Sequence, residues 1–368
     1  MTEREVALVT GASRGLGLLL ARELAGRGFD LMICARSDDG LDAARKELAT
    51  TGAEVLAVPA DVSVRHEAGG LVAAATTRFG RLDMVVNNAG IIQVGPEPTM
   101  TAERFSEALD TMLWGAVHTS LAAVPVMRER GSGRIVTITS IGGAVPAPHL
   151  LPYTTAKFAT RGFSEGLRVE LGKYGISVTT VVPGLMRTGS PRNALFTGDR
   201  PAEYRWFALG DSIPFLSMDA ERAAKRIVAA ALRGKPEIVL TPAAKLATAA
   251  HGVAPGLTQR IAAAADRLLP SATDGARPVP GHATEARRPA WFRAATRLTR
   301  VAADRFHQHE DSTQCTTRTC SASISTTTWP ARRAVWSWPG GWPTPGRGGW
   351  TPHSCAGWPA TSPRTGRA

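Results

Sequence analysis

Cysteine is scarce in this sequence, with four residues among 368. So few cysteines do not form a disulfide framework in a chain of this length. Cys34 lies in the apolar run Leu31 to Ala35, where a buried free thiol is expected. The sequence therefore fits a reducing compartment.

The start of the chain lacks the pattern of a secretory signal. Glu3, Arg4 and Glu5 stand where a basic segment would be, and the apolar run Val6 to Val9 is too short for the hydrophobic region of a signal. The longest uncharged stretch, Ile135 to Ala156, is interrupted by glycine and proline, so we do not expect it to cross a membrane. We expect a globular protein of the cytoplasm.

Acidic residues and lysine are absent from Ser312 onward, where six arginines carry half of the formal net charge of +12. The rest of the chain is only moderately basic and contains no nucleic-acid-binding module, so we expect no nucleic-acid partner. The same segment holds six of the nine tryptophans, without periodicity, among Pro, Gly, Thr and Ser. We expect residues 312–368 to be a disordered, low-complexity tail, and a shifted reading frame would explain its composition.

The sequence also lacks histidine and cysteine residues at the spacing of a common metal site. Four residues near the tail could be imagined as a zinc cluster: His307, His309, Cys315 and Cys320. Their spacing fits no common zinc site, so we expect no bound metal.

The sequence does contain an alternation of short β-rich runs and longer amphipathic segments, from Glu5 to about Leu240. This pattern predicts an α/β fold, a doubly wound parallel sheet with helices on both faces. The predicted strands, rich in Val, Ile and Leu as strands buried on both faces should be, are Val6 to Thr10, Leu31 to Ala35, Glu54 to Pro59, Met84 to Asn87, Arg134 to Thr139, Ser177 to Val182 and Ile238 to Leu240. The predicted helices include Gly15 to Arg27, Glu103 to Arg128, Tyr153 to Lys173 and Ala220 to Arg233.

The composition changes after the last strand. Residues 241–311 are rich in Ala and Arg and predict a helical extension, in which a Pro/Gly-rich linker, Pro270 to Pro289, precedes the last helix. The predicted helices are Ala243 to Ala250, Leu257 to Leu269 and Trp291 to Phe306. The last mixes aromatic and arginine side chains, so it could rest on a membrane surface or a partner, although packing on its own domain is favoured. We therefore divide the chain into a catalytic domain (1–240), the extension (241–311) and the tail (312–368).

A glycine-rich turn follows the first strand. Thr10-Gly11-Ala12-Ser13-Arg14-Gly15-Leu16-Gly17 places three glycines where the chain turns sharply into a helix. Backbone N–H groups and the positive end of a helix dipole attract phosphate there, and absent side chains allow close approach. The turn predicts a nucleotide-binding site.

Four motifs in order resemble the short-chain dehydrogenase/reductase family over about residues 5–240. They are the GxxxGxG turn, Asn87-Asn88-Ala89-Gly90, Tyr153-Thr154-Thr155-Ala156-Lys157, and Pro183-Gly184 with Thr188. The resemblance implies a Rossmann fold, a nicotinamide cofactor, and a homodimer or homotetramer formed through the long helices. By that resemblance, Asp61 contacts adenine, Asn88 holds the sheet and the cofactor, and Thr188 meets the nicotinamide amide. The expected cofactor-binding residues are Gly11, Ser13, Arg14, Gly15, Leu16, Gly17, Arg36, Asp61, Val62, Asn88, Ala89, Gly90, Tyr153, Lys157, Pro183, Gly184 and Thr188.

The end of the second strand bears on which dinucleotide binds. An NAD site usually has a carboxylate there, whereas this chain has Arg36. Arg36 and Arg14 would pair with a 2′-phosphate, so NADP is favoured. NAD stays an alternative, because Asp38 and Asp39 follow closely and could reach a 2′-hydroxyl.

Tyr153 and Lys157 lie four residues apart on a predicted helix, which places them on one face. The ammonium of Lys157 would favour the phenolate of Tyr153, so that Tyr153 acts as a general base toward an alcohol or a general acid toward a carbonyl. Ser140 precedes Tyr153 by thirteen positions, and a loop of that length can bring its hydroxyl beside the phenol. The sequence predicts an alcohol/carbonyl oxidoreductase with Ser140, Tyr153 and Lys157 at its centre.

One position departs from the family pattern. Three residues before Gly115, where the family usually has an asparagine that binds a water beside the lysine, this chain has Met112. A thioether cannot donate a hydrogen bond, so we expect the proton relay either to run differently, with Thr111 or His118 as substitutes, or to be impaired. The alternative function is therefore a dinucleotide-binding sensor or scaffold with little turnover.

Two segments predict the substrate class. Gly142 to Pro152 should line the substrate cleft with apolar atoms, and His149 could orient a polar group there. The segment after Thr188, where the family builds a mobile lid, is rich in aromatic residues, which are Phe196, Tyr204, Trp206, Phe207 and Phe215. We expect a small apolar alcohol or ketone as substrate; the alternative is that these rings form local core or an oligomer contact.

Overall fold

The structure is a computed structural model, and it describes residues 4–213, 217–271, 277–287, 292 and 295–308. All of these residues belong to one unit of the chain by their contacts, residues 1–315. The boundaries predicted at residues 240 and 311 stay predictions. Residues 312–368, Phe215, and three members of the imagined zinc cluster (His309, Cys315, Cys320) lie outside the described residues.

A seven-stranded parallel sheet forms the centre of the molecule, in the order β11-β7-β6-β4-β1-β2-β3. Its strands are β1 (Val6–Thr10), β2 (Asp30–Ala35), β3 (Val55–Pro59), β4 (Met84–Asn87), β6 (Gly133–Ile138), β7 (Ile176–Val182) and β11 (Glu237–Val239). Each begins and ends within one residue of a predicted strand. The predicted doubly wound α/β fold is confirmed.

Small additional strands flank the sheet. They are β5 (Gln93–Val94), β8 (Leu185–Arg187), β9 (Leu195–Phe196), β10 (Ser217–Asp219) and β12 (Val279–Pro280). β8 pairs with β10, and β9 pairs with both β5 and β12. The pairing of β9 with β12 ties the C-terminal extension to the segment that follows Thr188.

Side-chain alternation along the strands explains the layered packing. In β1, Ala7 and Val9 face one hydrophobic cluster while Val6 and Leu8 face another on the opposite side of the sheet. Both faces of the strand are buried, so the sequence has a continuous apolar run there instead of an alternating one.

Helices cover both faces of the sheet. α1 (Gly15–Ala25), α2 (Asp38–Ala49) and α8 (Ala220–Leu232) contribute to one cluster, and α3 (Arg65–Phe79), α5 (Gly115–Arg130) and α6 (Leu151–Leu171) to the other. α4 (Ala102–Leu109) packs on α6, and α7 (Arg200–Ser212) lies in the segment after Thr188.

The predicted single helix Glu103 to Arg128 is interrupted in the structure. A π-helical turn, Asp110–Trp114, separates α4 from α5. Such turns often occur at functional sites, and periodicity alone does not predict them because the apolar pattern continues through the turn. Met112 lies in this turn.

The C-terminal extension has two differently packed parts. α9 (Pro242–Val253) and α10 (Pro255–Asp266) are mostly exposed. By contrast, Phe292 and, just after α11 (Arg297–Arg305), Phe306 are buried in two hydrophobic clusters of the main body. The last predicted helix therefore packs on its own domain, because these two aromatic anchors are inside the protein instead of facing a membrane surface.

Within the part of the chain that the structure describes, no helix is both long and apolar enough to cross a membrane. The cytoplasmic location stays a prediction. Cys34 is a free, buried thiol, as expected, and burial raises its pKa to about 12.

Candidate active site

The fold places a crevice between β1 and β4, where the order of strands along the sheet reverses. Hydrogen bonds join the carboxyl ends of these strands. Asn88 Nδ2 donates to the carbonyl oxygens of Thr10 (3.0 Å) and Gly11 (3.1 Å). Thr10 Oγ1 accepts from the backbone N–H groups of Asn88 and Ala89, both at 3.0 Å. Asn88 thus fixes the base of the crevice.

The glycine-rich turn has the backbone geometry that the sequence implies. Gly11 and Gly15 have φ angles of +63° and +57°, in the left-handed region that favours glycine. A side chain at Gly17 would collide with the backbone oxygen of Gly11. The turn therefore brings β1 tightly into α1, with the N-terminus of α1 facing the crevice.

A short segment of the C-terminal extension lies directly on this turn. We call residues 306–308 the strap. The backbone N–H of Gly15 donates to the carbonyl oxygen of Phe306 (2.9 Å), and a side chain at Gly15 would collide with Gln308 Nε2. Asn193 Nδ2 donates to Gln308 Oε1, and His307 Nε2 lies 3.2 Å from Glu47 Oε2. The strap thus links the glycine turn to the segment after Thr188.

One cavity of about 770 Å³ runs from the glycine turn to Tyr153. Every predicted site residue lines it. From the sheet edge these are Gly11, Ser13, Arg14, Gly15, Leu16, Gly17, Arg36, Asp61, Val62, Asn88, Ala89 and Gly90, and from the other side Ser140, Tyr153, Lys157, Pro183, Gly184 and Thr188. Their common position fits a dinucleotide, with phosphates at the turn and a reactive end near Tyr153, although their individual roles stay predictions.

Two arginines and one carboxylate line the end of this cavity near the glycine turn. Arg14 and Arg36 both line it, while the exposed Asp38, at the start of α2, is not among its lining residues. Asp61 Oδ1 accepts from the backbone N–H (2.9 Å) and the hydroxyl (2.7 Å) of Ser63, which fixes the carboxylate at the cavity wall.

Ser140 and Tyr153 meet at the other end of the cavity. Ser140 Oγ accepts from the backbone N–H of Gly142 (3.1 Å), and a side chain at Gly142 would lie 3.3 Å from the Tyr153 ring. Burial raises the pKa of Tyr153 to about 12; its hydrogen bond with Ser140 opposes that rise, and the charge of Asp211 adds to it. Tyr153 is therefore protonated at neutral pH and has the form of a general acid.

Lys157 is buried near Tyr153 and bonds to the backbone. Its Nζ donates to the carbonyl oxygen of Ile138 (2.8 Å) and lies 5.8 Å from the centroid of the Tyr153 ring. Burial lowers the pKa of Lys157 to about 8. Burial is the largest influence on the pKa of both groups here, and the lowering of the pKa of Tyr153 by Lys157 together with a bound oxidised nicotinamide stays a prediction.

Met112 is buried beside these residues. Its side chain packs with Ala108 and Ala156 and lies next to Gly90. Of the two proposed substitutes for the family asparagine, Thr111 lines the cavity, whereas the His118 ring stacks on Trp114 and its Nδ1 lies 3.3 Å from Val62 O. Thr111 is thus the better placed of the two.

The expectation that His149 orients a polar group in the cleft is not supported. Its neighbours Pro148 and Leu150 line the cavity, but His149 has a φ of +58° and its Nδ1 lies 2.7 Å from Glu203 Oε1. Glu203 is fully buried and also accepts from Trp206 Nε1 (2.7 Å). Glu203 Oε1 lies within hydrogen-bond distance of the imidazole, so His149 joins the segment Gly142 to Pro152 to α7.

The aromatic residues after Thr188 divide into two groups. Trp206 and Phe207 line the cavity, as expected. Phe196 and Tyr204 do not line it and form a small core with Phe292, so for them the core alternative is correct; Phe207 belongs to this core as well as to the cavity wall. Phe292 comes from the C-terminal extension, and nothing local in the sequence indicates this contact.

Sequence reasoning missed several residues of the cavity. Asp211 on α7 lines it, and so do Gln308 and residues of the C-terminal extension, which are Ala265, Leu269, Pro280 and His282. Asp211 could have been noticed as the one charged residue in the mostly apolar stretch Trp206 to Ile213. The extension carries no motif that would have pointed to the cavity.

Comparison with known proteins identifies the family. The short chain dehydrogenase family model matches residues 5–195. A 3-oxoacyl-(acyl-carrier-protein) reductase of Synechocystis sp. is 35% identical over 190 residues, which are 51% of this chain and 77% of that protein.

Solved structures similar to this chain support the same family. A crystal structure of an actinorhodin polyketide ketoreductase variant with NADPH is 30% identical, with a TM-score of 0.59 over 66% of this chain and 97% of that one. A short-chain dehydrogenase from Streptomyces avermitilis is 29% identical, with a TM-score of 0.63 over 73% of this chain and 99% of that one. With its glycine turn, sheet order and cavity residues, this chain belongs to the short-chain dehydrogenase family.

Proposed function

We propose that this protein is an NADP(H)-preferring oxidoreductase that interconverts a ketone and an alcohol on an apolar substrate. The observation that carries the proposal is the single cavity that joins the glycine turn to Ser140, Tyr153 and Lys157. The similar ketoreductases among solved and curated proteins support the same reaction class.

In the reduction direction, Tyr153 is the proposed proton donor. With its pKa raised to about 12, the phenol holds its proton at neutral pH and can donate it to a carbonyl oxygen. Ser140, hydrogen-bonded to Tyr153, orients the same oxygen. When bound, the reduced nicotinamide supplies the hydride.

NADP is the proposed cofactor because of charge. A 2′-phosphate carries about two negative charges near neutral pH, and Arg14 and Arg36 both line the ribose end of the cavity. The NAD alternative rests on Asp38, which is exposed and outside the cavity wall, and on Asp39.

The test measures the absorbance of NADPH or NADH when the full chain is mixed with a panel of apolar ketones. We expect turnover with NADPH, and a loss of about 1000-fold in kcat/KM for Tyr153→Phe, since general acid catalysis contributes about 10²- to 10⁴-fold. Tyr174→Phe, at a half-exposed tyrosine beyond α6, is the matched control. Equal activity of Tyr153→Phe and wild type would overturn the role of Tyr153.

A second candidate function is a dinucleotide-binding sensor. The buried thioether of Met112 beside Gly90 favours it, because a thioether cannot donate a hydrogen bond to a proton relay. Tight NADPH binding without turnover across the panel would support it, and Met112→Asn would then be the variant to test for restored activity.

We also propose a homo-oligomer formed through α5 and α6. Both helices expose large apolar side chains on the surface of the described structure: Leu121 (56%), Phe158 (40%) and Val169 (80%). Light scattering of the full chain tests this proposal. A monomer that persists at high protein concentration would contradict it.

A further inference from the structure

Asp211 is a buried carboxyl group that the proposed reaction does not use. It lies near the end of α7, with a relative exposure of 3%, and lines the cavity together with Trp206, Phe207 and Gly210 of the same helix. Burying a carboxyl group costs free energy unless a partner compensates. Its position therefore needs an explanation.

The protein itself compensates this group only weakly. Ser190 Oγ donates to Asp211 Oδ2 at 3.3 Å, near the upper limit for a hydrogen bond. Among the residues that the structure describes, no lysine, arginine or histidine forms an ion pair with Asp211. Burial raises the pKa of Asp211 to about 7, so the group keeps its charge poorly in this position.

Asp211 also lies at the reacting end of the cavity. Its charge is near enough to affect Tyr153, and Ser190, its partner, donates its backbone N–H to Thr188 Oγ1 (3.3 Å). The carboxyl group, the proposed acid and Thr188 thus border the same space, so a substrate held by Tyr153 can reach Asp211.

We propose that Asp211 is the substrate-recognition residue of this cavity and binds a hydroxyl group that the ketone carries away from its reacting carbonyl. The proposal deepens the proposed function and rests on it in one respect, that the ketone binds at Tyr153. One carboxyl oxygen already accepts from Ser190, and the other can accept the O–H of the substrate.

A neutral hydroxyl suits this position better than an ammonium group. The surrounding walls are mainly apolar and contribute Trp206, Phe207 and Leu195. A cation there would lose its hydration and gain one counter-charge, whereas a hydroxyl loses much less. A carboxyl group can also bind a hydroxyl in either protonation state, as acceptor when ionised and as donor when protonated.

The experiment compares matched ketones. The probes are 1-tetralone and its 5-, 6- and 7-hydroxy derivatives, with NADPH and the full chain. The measured quantity is the ratio of kcat/KM for each hydroxy derivative to that for 1-tetralone, in wild type, Asp211→Asn and Asp211→Leu. Asp304→Asn, at a carboxylate that is 69% exposed, is the control.

We expect one hydroxy derivative to be preferred at least tenfold by wild type and by Asp304→Asn. In Asp211→Leu the ratio should fall to about one, and in Asp211→Asn it should fall less, because the amide can still bond the hydroxyl. A ratio that is unchanged in Asp211→Leu, or the absence of any preference in wild type, would overturn the proposal. An equal loss for all four ketones would do the same, since it would indicate a structural role.

A binding measurement separates this proposal from the proposed function. Dissociation constants of the same four ketones for the NADPH complex of Tyr153→Phe, measured by equilibrium dialysis, give the preference without turnover. If wild type turns over none of the ketones but the hydroxyl preference appears in binding and is lost in Asp211→Leu, recognition by Asp211 stands and the reaction assignment fails. If the NADPH complex of Tyr153→Phe binds all four ketones equally well, with Asp211 present or replaced by Leu, recognition by Asp211 fails.

Discussion

The two ends of the cavity are built in different ways. At the glycine turn, the lining residues follow β1 to β4 directly in sequence, and their positions are set by a sheet whose strands are buried on both faces. At the substrate end, α7 and the extension, including Leu269 and Pro280, converge from distant parts of the chain. The first end is a local property of strand-to-turn segments, whereas the second depends on long-range packing.

The two ends of the cavity also differ in their charged residues. The turn end has arginines in contact with solvent, where a phosphate can be neutralised at little cost. The substrate end has Asp211 in an apolar environment, where burial raises its pKa to about 7. Under the two proposals above, the turn end would attract a phosphate, and a hydroxyl bound at the substrate end would offset part of the cost of burying Asp211.

The largest expected effect comes from removing the charge at the substrate end. Because the folded-state pKa of Asp211 is raised from 3.8 to about 7, the folded protein binds a proton that the unfolded chain releases between these values. The stability of wild type should therefore decrease as pH rises from 4 to 7, whereas Asp211→Asn lacks this loss. About three pKa units correspond to about 4 kcal/mol.

Urea unfolding of both proteins at pH 5 and pH 8 measures this difference. We expect the stability of Asp211→Asn relative to wild type to rise by up to about 3 kcal/mol between pH 5 and pH 8, because about two of the three pKa units lie above pH 5. The exposed Asp304→Asn should show no such gain. A constant difference between Asp211→Asn and wild type at both pH values would mean that Asp211 is not desolvated.

The next effect is at the turn end and concerns cofactor choice. Arg36→Ala removes one of the two cations that line the ribose-binding region, so NADPH should bind about 30-fold more weakly, in line with about 2 kcal/mol for a charged hydrogen bond. NADH, which has no 2′-phosphate, should lose much less. Fluorescence titration with both nucleotides gives the two dissociation constants.

The control for this variant is Arg45→Ala, which removes an arginine that pairs with Asp42 on the surface of α2. It should leave the ratio of the two dissociation constants at the wild-type value. Equal weakening of NADPH and NADH by Arg36→Ala would show that Arg36 contributes to the fold of the site and not to the choice of cofactor.

The contrast between the two ends also explains what the sequence could predict. The seven main strands were predicted to within one residue, because a run of buried apolar residues bounded by glycine or polar turns leaves little freedom. The turn-end residues follow those strands, so predicting the strands also brings these residues together. The π-helical turn at Met112 has no such signal.

At the substrate end, the sequence shows which residue types are present but does not show which way their side chains point. His149 was expected to face the cavity and instead lies against Glu203, a residue 54 positions away whose burial depends on the position of α7. Phe196 and Tyr204 pack on Phe292 for the same kind of reason. Contacts between distant segments decide these orientations, and no local pattern encodes them.

The strap is the point at which the two ends meet, and it gives the smallest expected effect. Gln308 is buried, with 7% of its surface exposed. Its Oε1 accepts a hydrogen bond from Asn193, and its Nε2 lies next to Gly15. An amide donor placed at the N-terminus of α1 adds one hydrogen bond for a phosphate oxygen, and a single such bond contributes about 1 kcal/mol. Gln308→Ala should therefore weaken NADPH binding about fivefold. NADH should be weakened equally, because both dinucleotides share the pyrophosphate.

His307→Ala is the control. It removes the neighbouring side chain that pairs with Glu47 outside the cavity, so it separates loss of the Gln308 amide from loosening of the strap. If Gln308→Ala instead tightened binding, the strap would compete with the pyrophosphate for the turn. The C-terminal extension would then oppose the cofactor end of the cavity while completing the substrate end.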